Sequence, residues 1–280
     1  MVRFARIHRA PNNVIHSSTT SRIACLGGIY NNYLALEVAI RDARKRGVDA
    51  IYCLGDMGAF GPHPDRVFPL LSDHDVICLQ GNYDHSIGNE LNDCQCGYTD
   101  PRDNYFAQIS YDYTLQNTSV ESRQFLRDLP TEICVDLGPL RLLLCHGSPR
   151  RVNEFLWAST SPNHFLEHLA AERDADVVAV THTGIKWHRP LADNRHFVNV
   201  GVLGRPENDG NQHVWYTLLE TSSVDPLRVK FVPVEYDYHR LAREMGNEGI
   251  PAEFIETVQT GWWTTCLEIL PAKERKQGRW

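Results

Sequence analysis

Short apolar runs alternate with amphipathic stretches along most of the chain. Residues 22–27 (RIACLG), 50–55 (AIYCLG) and 75–80 (DVICLQ) are near-continuous apolar runs, the pattern of strands covered on both faces. Between the first two, Ala35, Leu36, Ala39, Ile40 and Ala43 recur at helical spacing and predict a helix over 32–46. The connections are long enough for crossovers between parallel strands. The polar stretch 91–105, with its Gly, Asp and Pro, predicts a long loop. Thr118 and Glu121 read as a capping box opening a helix over 119–129. Strands are expected near 132–137, 140–146 and 176–181, with a helix near 161–173 between the last two. Strand-like runs at 196–200, 213–219 and 227–235 follow, then helices near 237–246 and 251–260. A β-α-β opening followed by a β-rich half predicts a mixed α/β domain with two stacked sheets.

Composition narrows the class without naming a chemistry. Lys+Arg number 28 and Asp+Glu 35, a net charge of −7, which argues against nucleic acid as main partner because a phosphate backbone needs a basic stripe. No apolar run approaches the length of a membrane span. Residues 1–21 are polar and Arg/Ser-rich without the apolar core of a secretion signal; they read as a loose tail, with a transit peptide as the other reading. Five of the 8 cysteines (Cys25, Cys53, Cys78, Cys134, Cys145) sit in strand-like runs, where a free thiol acts as a small hydrophobe, as in a cytoplasmic protein. Cys94 and Cys96 form a Cys-Gln-Cys pair with no second pair at zinc-finger spacing. Residues 237–280 form a helical, Trp-rich extension expected to pack on the main domain at 22–236, or to serve as a lid or subunit contact in a homo-oligomer.

In folds of this kind ligands gather beyond the carboxyl ends of the strands. The residues found there are Gly-Asp56 after the second run, Gly-Asn82-Tyr83-Asp84-His85 after the third, His146-Gly-Ser-Pro after Cys145, and His182 after Thr181. Asp56, Asn82, His146 and His182 together offer two oxygens and two imidazole nitrogens, a set that suits Mn, Fe, Zn or Ni.

These blocks resemble the calcineurin-like metallophosphoesterases, in the small phosphodiesterase and diadenosine-tetraphosphatase-like branch. GDMGAFGPHP resembles the family's GD block and GNYD its GN-x-D block. LLLCHGSPRR resembles its His-Gly-Ser-Pro segment, THTGIKWHRP its GH-x-H block, and VNVGVLGRP its Asn-Pro-Gly-Ser segment. The resemblance implies a four-layer α/β/β/α sandwich of two mixed sheets flanked by helices, with a metal site across the sheet ends. The family usually binds two metals that share one Asp. The shared Asp matches Asp56, and the second metal's Asn and two His match Asn82, His146 and His182. The positions private to the first metal are Gly28, Tyr30 and Gly184, so none of those ligands is present.

The expectation is therefore a mononuclear site holding one divalent transition metal. The vacated space would admit part of a small-molecule substrate, with Tyr30 donating a hydrogen bond to it. Asn32 and Arg150 are further substrate-binding candidates, with Arg151 beside the latter. Where many members have a His acid in the GN-x-D block this chain has Tyr83, with Asp84 to orient it and the adjacent His85 as a substitute acid. Tyr83 could equally only pack. His63 and the Trp187-His188-Arg189 run are candidates for the cleft wall. Three functions fit: metal-dependent hydrolysis of a small phosphoester, a different one-metal reaction using the vacated half-site, and a non-catalytic homologue that binds a ligand.

Overall fold

Alternation within single strands sets the layers. The structure, a computed structural model, describes residues 14–15 and 20–278. In β2 (Arg22–Leu26), Ile23 and Cys25 face one side, while Ala24 and Leu26 face the other. The second pair packs on α1 (Tyr33–Lys45) through Leu36, Ala39 and Ile40. In β6 (Leu140–Cys145) and β7 (Val177–Val180), Leu142, Leu144, Val177 and Ala179 meet Ile23 and Cys25. Leu143, Cys145, Val178 and Val180 instead turn to Leu166, Leu169 and Ala170 of α6 (Asn163–Glu172). Each period-2 run thus feeds two cores at once. The result is a four-layer α/β/β/α sandwich, as the resemblance implies.

One sheet is completed by β3 (Ala50–Cys53) and β4 (Ile77–Cys78), parallel to β2, and by the antiparallel pair β10 (Val214–Glu220) and β11 (Arg228–Val234). Its order is β11-β10-β2-β3-β4. The other has the order β1-β5-β6-β7-β9-β8, where β1 is Val14–Ile15, β5 Glu132–Leu137, β8 Trp187–Pro190 and β9 His196–Asn199. Within the stretch expected as a loose tail, Val14–Ile15 pair in parallel with β5; residues 1–13 and 16–19 lie outside the described residues.

Among the described residues four helices were not anticipated from the pattern: α2 (Val67–Asp73), α3 (Asn82–Gly88), α4 (Pro101–Asn117) and the short α9 (Ala272–Arg275). α4 begins inside the expected loop. Asp100 caps it by accepting from the Arg102 and Asp103 N–H groups, and Pro101 opens it. Its buried face (Phe106, Ala107, Ser110, Tyr111, Thr114) mixes polar with apolar residues, so its periodicity is weak. The cap of α5 (Val120–Arg127) is Ser119, which accepts from the Ser122 N–H, and not Thr118, whose hydroxyl donates back to Thr114 O. The chain closes with α7 (Tyr238–Asn247), α8 (Ala252–Thr260) and α9 (Ala272–Arg275). In this last segment Trp263 is buried, with Nε1 donating to Pro206 O at 2.7 Å. Among the described residues no helix is long and apolar enough to cross a membrane.

Cys25, Cys53, Cys78 and Cys145 are buried free thiols in strands, and burial pushes the Cys25 thiol up to about 12. Cys94 and Cys96 differ from the expectation of reduced cysteines: they are bonded to each other.

Candidate metal centre

Four strand ends deliver the four expected ligands. Asp56 follows β3 and His146 follows β6 directly. His182 lies two residues past β7, and Asn82 is the first residue of α3 beyond β4. Asp56 and His182 have φ of 57° and 65°, which turns their side chains back across the sheet ends. Ligand atoms of Asp56, His146 and His182 lie within 4.8 Å of one another, all three residues being buried. His146 Nε2 stands 3.2 Å from Asp56 Oδ2 and 3.2 Å from His182 Nδ1.

The protein supplies the supports that such a cluster requires. His146 Nδ1 is 2.7 Å from Leu54 O, so Nδ1–H donates to that carbonyl and Nε2 faces the cluster. Asp56 Oδ1 accepts from the Tyr83 N–H at 3.0 Å. Asn82 Nδ2 donates to Cys94 O at 2.8 Å, while its Oδ1 is buried without any hydrogen-bond partner. His182 presents Nδ1 to the cluster, and the Cys96 backbone accepts from its ring. Burial and the neighbouring His146 push His182 down to about 3, so it stays neutral, the form that binds metal. Burial lowers His146 but Asp56 more than offsets it, and burial raises Asp56 but protonated His146 more than offsets that, so without an ion the two form a charged pair and a metal would displace the Nε2 proton. Ligand atoms of a carboxylate and two imidazoles converge here, and the side-chain oxygen of Asn82, which opens the next helix, is buried with nothing to accept. A cation satisfies all of them, so the residues fit a metal ion.

Opposite the cluster is a cleft of about 500 Å³, counting its open mouth, which Tyr30, Asp56, Tyr83, His182 and Arg205 help to line. Tyr30, at the position of one missing ligand, lines it with no hydrogen bond from its hydroxyl among the described residues. A Cβ on Gly28 would lie 2.5 Å from the Tyr30 ring, and one on Gly184 would lie 3.1 Å from the Trp263 ring and 3.3 Å from Arg205 Nη2. The space beside the two glycines is thus occupied by the tyrosine ring, the indole and the guanidinium.

Several expected site residues stand elsewhere. Asn32 is fully buried as the cap of α1: its Oδ1 accepts from Ala35 N–H and its Nδ2 donates to Gly204 O, so it does not reach the cleft. His85 is exposed, its partner is Asn89, and it is not among the residues that line the cleft. Arg150 is exposed, pairs with Glu154 and covers the Phe165 ring. Asp84 is buried and accepts from the backbone N–H groups of Asp56, Met57 and Gly81 at 2.7, 3.0 and 2.8 Å. It therefore positions the loop of Asp56 instead of orienting an acid. Tyr83 does line the cleft, but its hydroxyl donates to Ala107 O at 3.2 Å and burial pushes its pKa far up, away from an acid's range. His63 lies by Glu244 and Glu248, and Trp187 packs on Phe197, both away from the cleft lining. The sulfurs of Cys94 and Cys96 are engaged with each other, although Cys96 and Tyr98 of their loop line the cleft.

Arg205 and Trp263 were not singled out from the sequence as site residues. Arg205 stands within the quoted VNVGVLGRP block, where it was given no role. Trp263 comes from the extension, distant in sequence from every motif.

Comparison with known proteins agrees with this architecture. An uncharacterized protein of Methanocaldococcus jannaschii is 23% identical over 246 residues, covering 82% of this chain and 94% of that one. The crystal structure of a metallophosphoesterase from Sphaerobacter thermophilus superposes with a TM-score of 0.65 at 24% identity, over 87% of this chain and 100% of the other. A hypothetical protein of Pyrococcus horikoshii superposes with a TM-score of 0.71 at 22% identity, over 87% of this chain and 99% of its own. At these identities the likeness concerns the fold. The family model of the calcineurin-like phosphoesterase superfamily domain matches residues 22–223, most of the chain and all four candidate ligands, and the chain belongs to that superfamily.

Proposed function

We propose that the chain is a metal-dependent phosphoesterase-like hydrolase. In this reading one divalent transition metal (Mn, Fe, Zn or Ni) is held by Asp56, Asn82, His146 and His182, and the substrate is a small phosphorylated molecule. The observation that carries the reading is the unpartnered Asn82 Oδ1 together with the convergent Asp56, His146 and His182, with side chains instead of further ligands at Gly28 and Gly184.

A metal bound there would polarise a phosphoryl oxygen and lower the pKa of water. The chain's own residues do the rest. Leu54 O fixes the tautomer of His146, and Cys94 O fixes the orientation of Asn82. Asp84 holds the backbone of the Asp56 loop. Aromatic side chains including Phe60, Tyr98, Phe106 and Phe254 narrow the access of water to the cleft. A cytoplasmic setting accords with the buried free cysteines of the strands.

The test is metal analysis of the purified chain together with a hydrolysis screen over phosphomonoesters and phosphodiesters with each of the four metals. One ion per chain and activity lost in Asp56→Ala and His146→Ala are expected. Two ions per chain would overturn the one-metal reading, and a filled site with no turnover would overturn phosphoester hydrolysis.

A further inference from the structure

We propose that Arg205 is an anion-recognition residue: its guanidinium takes the phosphoryl or carboxylate group of a small ligand whose remaining part lies against the cleft's aromatic side chains. The proposal rests on the phosphoesterase reading only for the choice of phosphate as first probe.

Three observations carry it. Arg205 is only 7% exposed, yet among the described residues it makes no hydrogen bond and no ion pair, and its Nε is buried without a partner. A buried cation without a counter-charge is unfavourable, and such groups are normally paired. The contrast within the same molecule is Lys186, which is paired with Glu207. The nearest carboxylate of the cleft offers no substitute, because Asp56 is engaged by His146 and the Tyr83 N–H.

The guanidinium is also held in place. Its carbon stands 3.6 Å from the centroid of the Trp263 ring, with the Tyr30 ring farther off at 5.9 Å. Trp263 is a fixed platform, since its Nε1 donates to Pro206 O at 2.7 Å and its backbone N–H to Asn208 Oδ1 at 2.8 Å. Contact with a ring face attracts the cation but leaves its in-plane N–H donors free. Gly184 leaves room for the guanidinium itself, since a Cβ there would crowd Arg205 Nη2 at 3.3 Å.

Finally, Arg205 shares one cleft with Asp56 and His182 on one side and with Phe60, Tyr98, Phe106 and Phe254 on the other. A planar fork of free donors matches two oxygens of a phosphoryl or carboxylate group. Aromatic walls beyond it suit a flat or apolar substituent, which selects a small aryl or heterocyclic ester over free phosphate.

Calorimetric titration of the purified full chain, before and after chelation of metal, tests this with inorganic phosphate, phenyl phosphate and benzoate. The chelated wild type should bind phenyl phosphate more tightly than inorganic phosphate. Arg205→Met should weaken phenyl phosphate binding about tenfold or more, and Arg205→Lys, which keeps the charge but loses the fork, should fall between. Metal content should be unchanged in both variants. Benzoate binding that depends equally on Arg205 supports the site and assigns it to carboxylates. No anion binding by the chelated wild type overturns the proposal whether or not the variants fold, and so does equal binding by the wild type and a folded Arg205→Met. Failure of the hydrolase reading would look different: turnover would be absent while Arg205-dependent binding persisted.

Discussion

Gly27→Ala tests how the two sheets are joined at the site. Gly27 follows β2, and its Cα faces the backbone beyond β9. An added Cβ would lie 1.8 Å from Gly201 O and 2.5 Å from Thr181 Oγ1, where real Cβ contacts are not closer than 3.0 Å. The two backbones would have to separate by 3.0 − 1.8 = 1.2 Å. Gly28 O, next in the chain, accepts from Leu203 N at 3.0 Å and Gly204 N at 2.8 Å, and both bonds would be strained or lost. Overpacking costs about 1–3 kcal/mol. Two hydrogen bonds at about 1 kcal/mol each bring the destabilisation to about 3–5 kcal/mol. Gly27 is not among the positive-φ glycines, so backbone conformation supplies no penalty. Without the clash the same substitution would stabilise by about 0.4–1 kcal/mol, the opposite sign. Urea unfolding at equilibrium reads the difference as a lower midpoint at constant slope. Gly246→Ala in α7, where an added Cβ meets only Ile255 at 3.9 Å, is the control and should gain about 0.5–1 kcal/mol. A Gly27→Ala protein as stable as the wild type would refute the reasoning.

Asn32→Ala should lose about 0.5–2 kcal/mol of stability in the same assay while metal content holds, since a helix cap is lost and not a ligand contact. His85→Ala and Arg150→Ala should leave metal content and turnover unchanged, and a marked loss of turnover in either would return that residue to the site. Tyr83→Phe removes a hydroxyl engaged by Ala107 O and Ser110, so stability should fall by about 1 kcal/mol or more with kcat preserved; a fall in kcat of about 100-fold would mark a general acid instead. Chelation should lower Tm without unfolding the chain, because the ligands stand on strand ends already fixed by the sheets; loss of the far-ultraviolet dichroism on chelation would contradict this.

What was legible in the sequence followed from what each strand buries. Runs such as RIACLG and LRLLLC carry apolar residues on both faces, so the strands and the residues at their ends could be placed from pattern alone. The four candidate ligands all stand at such ends. The misplaced residues are those whose direction depends on a neighbouring backbone. Asn32 was read as a substrate-binding residue, but α1 begins directly after it and the side chain caps that helix. His85 sits one position past Asp84 on α3, and that step turns it outward to solvent. Arg205 and Trp263 were invisible for another reason. Their meeting depends on how the extension folds back over 205–208, a contact spanning more than fifty positions with no periodicity to announce it.

The backbone conformations of the cleft have an evolutionary consequence. Of the 14 non-glycine residues with positive φ among the described residues, six (Tyr30, Asp56, Ala59, Phe60, His182 and Cys266) line this one cleft. Such conformations cost on the order of 1 kcal/mol each outside glycine. Selection for stability alone would therefore favour erasing these side chains, with glycine at Asp56 or His182 among the first replacements gained. A library sorted only for heat resistance should enrich changes at these positions and lose function as it does so. Their retention against that gradient is a cost the chain bears for the cleft itself.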